Sequence, residues 1–350
     1  MKKLTCLLLS LCLTLALLSG CGQQDGAAGT SEVPSASGDI FAMDTYMTIT
    51  TYGTRCEEAL AAAKSEIERL DALLSVGNAD SEISRINSGG SGTLSADTQT
   101  MVAEALRIWQ TTGGAFDITV YPIMQAWGFT TGNYRVPDAS ELQALLQTAG
   151  SDQLTLDGST LTLGTGQGID LGGIAKGYTS ARLMEIFKEY DLTAGLVSLG
   201  GNVQCYGTKP DGTLWRCGIQ DPGSPNDQSA LLGILSVADK AVITSGAYER
   251  NFTDETTGQF YHHIIDPATG APSQSGLTSV TVVSADGMLA DGLSTACYVM
   301  GLEKSIDYWR TYGSDFDLIL MTEGGEVYVT APIAENFTSD YSVHVIGQEG

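Results

Sequence analysis

GQGIDLGGIAKGYTSARLMEIFKEY, residues 166–190, is a glycine-rich loop running into a helix. Its reading decides the fold. A GxxxxGK[ST] phosphate loop or a GxGxxG turn would point to a parallel-sheet nucleotide binder, and neither spacing is present. Two readings stay open. The paired glycines make a tight turn, or they let the backbone approach an anion closely. In the second, a helix starting near Ile174 aims its positive end at the ligand and Lys176 adds a charge.

With those two nucleotide motifs excluded, fold class rests on the order of elements. Residues 41–52 alternate and read as one strand. Residues 56–74 place Leu60, Ala63, Ile67, Leu70 and Leu74 at helical spacing, and 97–112 carry Val102, Leu106 and Trp109 in the same way. Residues 113–129 read as strand and then irregular, 138–148 as a short helix, and 154–163 as a hairpin around Asp157-Gly158. Strands are expected near 194–206, 214–220, 231–244, 259–266, 277–284 and 316–329, and helices near 288–301 and 303–311. Strands and helices do not alternate regularly, so the class is α+β with mostly antiparallel sheets and packed helices.

The N-terminus is set apart from this domain. Lys2 and Lys3 precede an apolar run from Leu4 to Leu18, and Leu18-Ser19-Gly20-Cys21 follows. A plain secretory signal or an uncleaved anchor lacks a required cysteine here. The segment resembles the lipobox of bacterial lipoproteins. That implies a signal peptide over 1–20, a lipidated Cys21, and a membrane anchor on the extracytoplasmic face. Residues 21–39 are small and polar and read as a flexible linker, which leaves 40–350 as one catalytic domain.

The chain has 17 basic and 41 acidic residues, a net charge of -24. Without the two lysines of the signal the balance is -26. Such a surface argues against nucleic acid. It also makes a phosphate-bearing substrate awkward unless a cation or placed lysines screen it locally. Of seven cysteines, Cys56, Cys205, Cys217 and Cys297 fall in the domain, without zinc spacing. Cys205 and Cys217 flank an expected hairpin turn at Lys209-Pro210-Asp211-Gly212. A disulfide across it and two unpaired core thiols are both consistent with the sequence.

Three further segments suit chemistry. ADGLSTA, 290–296, sets Asp291 and Thr295 four apart, so on a helix both oxygens share one face. They suit a hard cation such as Mg2+, or are a helix cap and an internal threonine. SLGGN, 198–202, and TSGAYER, 244–250, each end a strand. YHHIIDPATG, 261–270, holds two of the chain's three histidines.

The order of these segments, with Met43-Asp44-Thr45 and FDITVYP before them, resembles the ApbE family of FAD:protein FMN transferases along essentially the whole mature chain. The resemblance implies a single two-lobed, T-fold-like α+β domain that binds FAD and Mg2+. It implies transfer of FMN to a Ser or Thr hydroxyl of an exported acceptor and release of AMP. The acceptors implied are electron-transfer flavoproteins with an Asp-x-x-Ser/Thr-x-Ala motif. Carried over residue by residue, Met43, Asp117, Gly172, Lys176, Gly200, Gly201, Asn202, Ser245, Tyr248, His263 and Ile265 line the FAD. The Ala175 carbonyl, Asp291 and Thr295 hold Mg2+. His263 is the expected base, with Asp266 to orient it or to approach the metal, and His262 is peripheral. The chain departs from the family at Asp44, at Ala247 and at Gly77, where an aromatic residue is expected.

Two other functions fit the same residues. Water in place of the acceptor would give an FAD pyrophosphatase. A non-catalytic FAD-binding lipoprotein would retain the flavin without releasing AMP. Asp291–Ala296 itself resembles the acceptor motif, but a helix would bury Ser294.

Overall fold

A computed structural model of the chain describes residues 33–227 and 229–348. Cys21, the signal segment and most of the expected linker lie outside the described residues. The described residues pack as one compact unit.

The first departure from expectation is at the start. Strand β1 (Ser35–Ala42) and β2 (Thr45–Tyr52) form a hairpin, where one strand over 41–52 and a linker up to 39 were expected. The turn is Met43-Asp44, both at positive φ (49° and 59°). Two such residues make the I′ turn that fits the twist of a tight hairpin. The small residues of β1 serve packing rather than flexibility. Helix α1 (Cys56–Leu74) packs against β1, with Leu60 Cδ2 at 3.5 Å from where a Cβ on Gly38 would stand. The buried stripe of α1 is Cys56, Ala59, Ala63, Ile67, Leu70 and Leu74, at the predicted period.

Helix α2 (Glu82–Gly89) and α3 (Ala96–Thr111) flank β3 (Ser91–Thr93). The expected strand after them is instead a 3-10 turn (Ile118–Val120) and helix α4 (Tyr121–Trp127). Asp117 caps that turn by accepting from Thr119 N, and Pro122 presets the first helical turn, so a β-rich composition folds as helix. Helix α5 (Ala139–Leu146) and the predicted hairpin β4 (Thr155–Asp157) and β5 (Thr160–Thr162) follow, with β3 added to the hairpin.

Helix α6 (Ala175–Glu189) precedes β6 (Ala194–Leu199) and β7 (Asn202–Tyr206). One expected strand over 194–206 is thus a second hairpin, turning at Gly200-Gly201 with φ of 60° and 91°. Next come β8 (Trp215–Gln220), β9 (Leu231–Val237), β10 (Ala241–Gly246), β11 (Asn251–Thr253) and β12 (Phe260–His262). The expected strand over 231–244 splits between two sheets, and that over 259–266 shrinks to β12. The chain continues through β13 (Leu277–Ser284), α7 (Gly287–Met300) and α8 (Leu302–Tyr312). It ends with β14 (Phe316–Thr322), β15 (Val327–Thr330), α9 (Ala331–Ala334), β16 (Phe337–Thr338) and β17 (Val343–Ile346).

Nine strands form one sheet in the order β1-β2-β6-β7-β10-β13-β14-β15-β17. Every pairing in it is antiparallel except β15 with β17. A three-stranded sheet β16-β9-β8 packs behind it through Cys205, Trp215, Leu235, Val283 and Phe337. Helices α1, α6 and α7 pack on the sheet's strands. The class is α+β, as expected. Antiparallel order carries the Met43-Asp44 turn, the Gly200-Gly201 turn and the C-terminal end of β10 to one end of the sheet.

Candidate active site

At that end α6 and α7 cross at two glycines. A Cβ on Gly177 would lie 2.2 Å from Gly287 O, and one on Gly287 would lie 2.8 Å from Gly177 O. Gly177 sits in the first turn of α6, where backbone N–H groups lack helical partners. Its N–H donates to Asp291 Oδ2 at 2.7 Å, and Asn202 Nδ2 donates to Asp291 Oδ1 at 3.0 Å. Asp291 is buried. Burial pushes its carboxyl above the usual range, while Lys176 and these two donors pull it back.

Charged groups gather around this carboxylate. Glu249 is pushed up by burial and by Asp291, against Lys176 and Arg250. Asp170 is pushed up by burial, against the Gly172 N–H that it accepts at 2.8 Å and the Arg250 cation. Glu249 remains open to water on the cleft and Asp170 is half-buried. Surrounding protein desolvates them, yet solvent still enters between the walls.

His263 stands just beyond β12. Its N–H and its Nδ1 both approach Arg250 O, at 3.0 and 3.1 Å. A carbonyl only accepts, so Nδ1 carries the proton and Nε2 of the neutral ring keeps its lone pair. Burial, Arg250 and Lys176 push His263 down to about 3. The segment is held by an aromatic cluster. Trp127 Nε1 donates to Gly270 O at 2.8 Å, and Trp127, Phe129, Phe252 and Tyr261 pack ring against ring.

A row of hydroxyls completes the wall on α7. Ser245 Oγ lies 2.8 Å from Ser294 Oγ and 3.4 Å from Thr295 Oγ1. Ser294 is fully buried and also donates to Asp291 O. The combination is a helix N-terminus with cations for an anion, a buried carboxylate, and hydroxyl and carbonyl oxygens for a hard cation.

Residues 43–320 match the model of the ApbE family. The chain belongs to the ApbE family. An FAD:protein FMN transferase of Vibrio cholerae serotype O1 is 36% identical over 265 residues, covering 74% of this chain and 78% of that protein. One of Klebsiella pneumoniae (strain 342) is 31% identical over 283 residues, covering 79% and 86%. Among solved structures, the ApbE protein of Thermotoga maritima superposes with a TM-score of 0.80 at 29% identity, over 87% of this chain and 99% of that one. The flavin transferase ApbE of Vibrio cholerae gives 0.72 at 28%, over 88% and 98%.

Within this ApbE-family site the expected residues separate. Lys176, Asn202, Ser245, His263, Asp291 and Thr295 come together. Gly200 and Gly201 form the adjacent turn, where a Cβ on Gly200 would strike Thr45 Oγ1 at 2.4 Å and one on Gly201 would stand 3.8 Å from Glu249 Oε1. Tyr248 follows Ser245, and its ring covers Gly246. Met43 belongs to the first turn rather than to a strand. Its N–H donates to Asp71 Oδ1 at 3.1 Å, and its Sδ lies 3.8 Å from Thr179 Oγ1. The Ala175 carbonyl accepts from Thr179 Oγ1 at 2.7 Å.

Three expected residues have internal partners instead. Both Asp117 oxygens are engaged by Thr119 and Ser151, an N-cap and a loop tie. Asp266 closes its own turn, accepting from Ala268 N on Oδ1 and from Gly270 N on its carbonyl, which are the bonds of an Asp-Pro turn rather than of a histidine partner. The Ile265 side chain is buried with Ile123, Trp127 and Phe129. His262 turns inward and meets Ser273 O at 3.0 Å.

Sequence reasoning missed Asp170, Glu249 and Arg250. The signal was available: each lay inside a segment already singled out, and charged residues beside a glycine turn or a strand end are poor candidates for the core.

Proposed function

We propose that this chain is an FAD:protein FMN transferase. The observation that carries the reading is the convergence of Lys176, Arg250, His263 and Asp291 at the N-terminus of α6. The site offers cations to a pyrophosphate and a neutral base beside them, and the ApbE-family relatives bear that activity in their names. An acceptor Ser or Thr oxygen attacks the phosphorus of the FMN half. The bond to the bridging oxygen breaks, and AMP leaves with that oxygen.

The chain's own groups each have a part. Lys176 binds phosphate oxygens and, with the positive end of α6, offsets the acidic surface. His263 Nε2 takes the acceptor's proton. Phosphate anions beside the ring favour its protonated form, which raises its basicity in the loaded site. The Asp291 carboxylate, the Thr295 hydroxyl and the Ala175 carbonyl are all hard oxygen donors and fit Mg2+ in kind. Bound Mg2+ supplies charge neutralisation on the phosphates.

The acceptor is an exported electron-transfer flavoprotein with an Asp-x-x-Ser/Thr-x-Ala motif, and the enzyme reaches it from a lipid anchor at Cys21. Incubation with FAD, Mg2+ and an acceptor domain tests the reading. Flavin fluorescence on the acceptor after a denaturing gel, with AMP released, is the expected outcome. AMP without labelled protein would make the chain an FAD pyrophosphatase, and bound FAD without AMP a carrier. Equal detergent partitioning of wild type and Cys21→Ala would remove the anchor.

A further inference from the structure

We infer that Cys205 and Cys217 form a disulfide that fastens the three-stranded sheet to the nine-stranded sheet. The two Sγ atoms are 3.8 Å apart, and both side chains are buried, at 1% and 5% exposure. Cys205 is on β7 and Cys217 on β8. These strands do not form the hairpin that the sequence suggested. β7 pairs with β6 and β10, and β8 with β9, so the chain changes sheets between the two cysteines.

The crossing explains why a bond matters there. The turn at Lys209–Thr213 and the Trp215 Nε1 bond to Gly207 O fix the connection. Beyond it, backbone pairing does not join β7 to β8, and the sheets meet through apolar side chains. A disulfide needs about 2.05 Å between sulfurs, so each must move by about 1 Å, a small side-chain rotation. Cys56 and Cys297 lie in two other clusters and offer no competing partner. Both thiols are buried and face each other, so the bond forms most readily while the chain is folding and an oxidant can reach them.

The step balances with a disulfide oxidant, either a small-molecule disulfide or a thiol oxidoreductase. Two S–H bonds break and one S–S bond forms between the cysteines. The oxidant takes two electrons and two protons and becomes two thiols.

The test uses the full chain with oxidised glutathione, once on folded protein and once during refolding from denaturant. After alkylation and non-reducing digestion, the Cys205 and Cys217 peptides are expected joined, with Cys56 and Cys297 alkylated. Reduction should then lower Tm by a few degrees, a shift absent from Cys205→Ser. Both peptides recovered as alkylated free thiols in both arms would overturn the inference. So would a link from either one to Cys56 or Cys297.

Discussion

The Gly177 amide donates to the Asp291 carboxylate at 2.7 Å, joining the first turn of one helix to the second turn of another, 114 residues later in the chain. The contact needs a glycine, because only a missing Cβ lets α6 and α7 approach this closely. The carboxylate is thereby oriented by two donors, Gly177 and Asn202, before any ligand arrives.

Gly177→Ala separates packing from helix propensity. Alanine is the better helix former by about 1 kcal/mol. Its Cβ would lie 2.2 Å from the Gly287 carbonyl and 2.5 Å from Asp291 Cβ, and neither is the end of a flexible chain. Overpacking should prevail, with a net loss of about 1–3 kcal/mol in urea unfolding. A gain in stability would show that the helices part cheaply.

Asp291→Asn keeps the size of the side chain and removes its charge. Flavin transfer should be lost together with Mg2+ dependence, while the unfolding midpoint stays near that of wild type, because relief of a buried charge is offset by loss of one of the two acceptors for Gly177 and Asn202. A variant that still transfers at an unchanged Mg2+ requirement refutes the ligand assignment.

His263→Ala should lower transfer by about 100-fold or more, the usual contribution of a general base, while FAD still binds in equilibrium titration. Full transfer by this variant would sink the base role. Equal losses in binding and rate would make His263 a contact for FAD only.

The same histidine gives a pH signature without any substrate. Its folded value, about 3, lies below the ordinary 6.5. From pH 6.5 down to about 3 the unfolded chain therefore takes up a proton that the folded chain does not, and stability falls as pH falls. Asp170, Glu249 and Asp291 are raised and work in the opposite direction, gaining stability as pH drops through their raised values toward the ordinary carboxylate range. The His263 contribution is isolated by His263→Gln. The stability difference between variant and wild type should shift in the variant's favour between pH 7 and 4 by more than about 1 kcal/mol. Parallel stability curves would show a histidine titrating as it does in water.

Much of this was legible in the sequence. Helical periods marked α1 from Cys56 to Leu74 and the helix holding Asp291 and Thr295, because a buried stripe leaves a pattern every three to four residues. The turns were not legible. Met43-Asp44 lacks the glycine that announces a two-residue hairpin, and positive φ at Met43 is imposed by tertiary contacts with Asp71 and Thr179. Gly200-Gly201 was visible as a glycine pair at a strand end but not as the turn of a hairpin whose second strand is β7. Asp117 was expected at the FAD only through the family resemblance; in the structure its carboxylate accepts from Thr119 and Ser151. Glu249 and Arg250 were hidden by local reading, since their importance comes from Lys176 and His263, on other segments.

Gly77 is where the chain departs most from its family's expected pattern, and it offers a gain-of-function test. A Cβ there would meet only Ser75 Oγ, at 3.7 Å, so a side chain can leave residue 77 without a clash. The segment follows α1, whose Asp71 holds the Met43 amide at the rim of the cleft. Gly77→Tyr should supply a stacking surface for a planar ligand, and such contacts are worth about 0.5–1.5 kcal/mol. The Kd for FAD should then tighten by about 2- to 10-fold, read by quenching of flavin fluorescence. If transfer rises relative to hydrolysis at the same time, the bare glycine sets the balance between acceptor and water. An unchanged Kd would place residue 77 out of reach of the flavin and make the departure a local feature of the loop after α1.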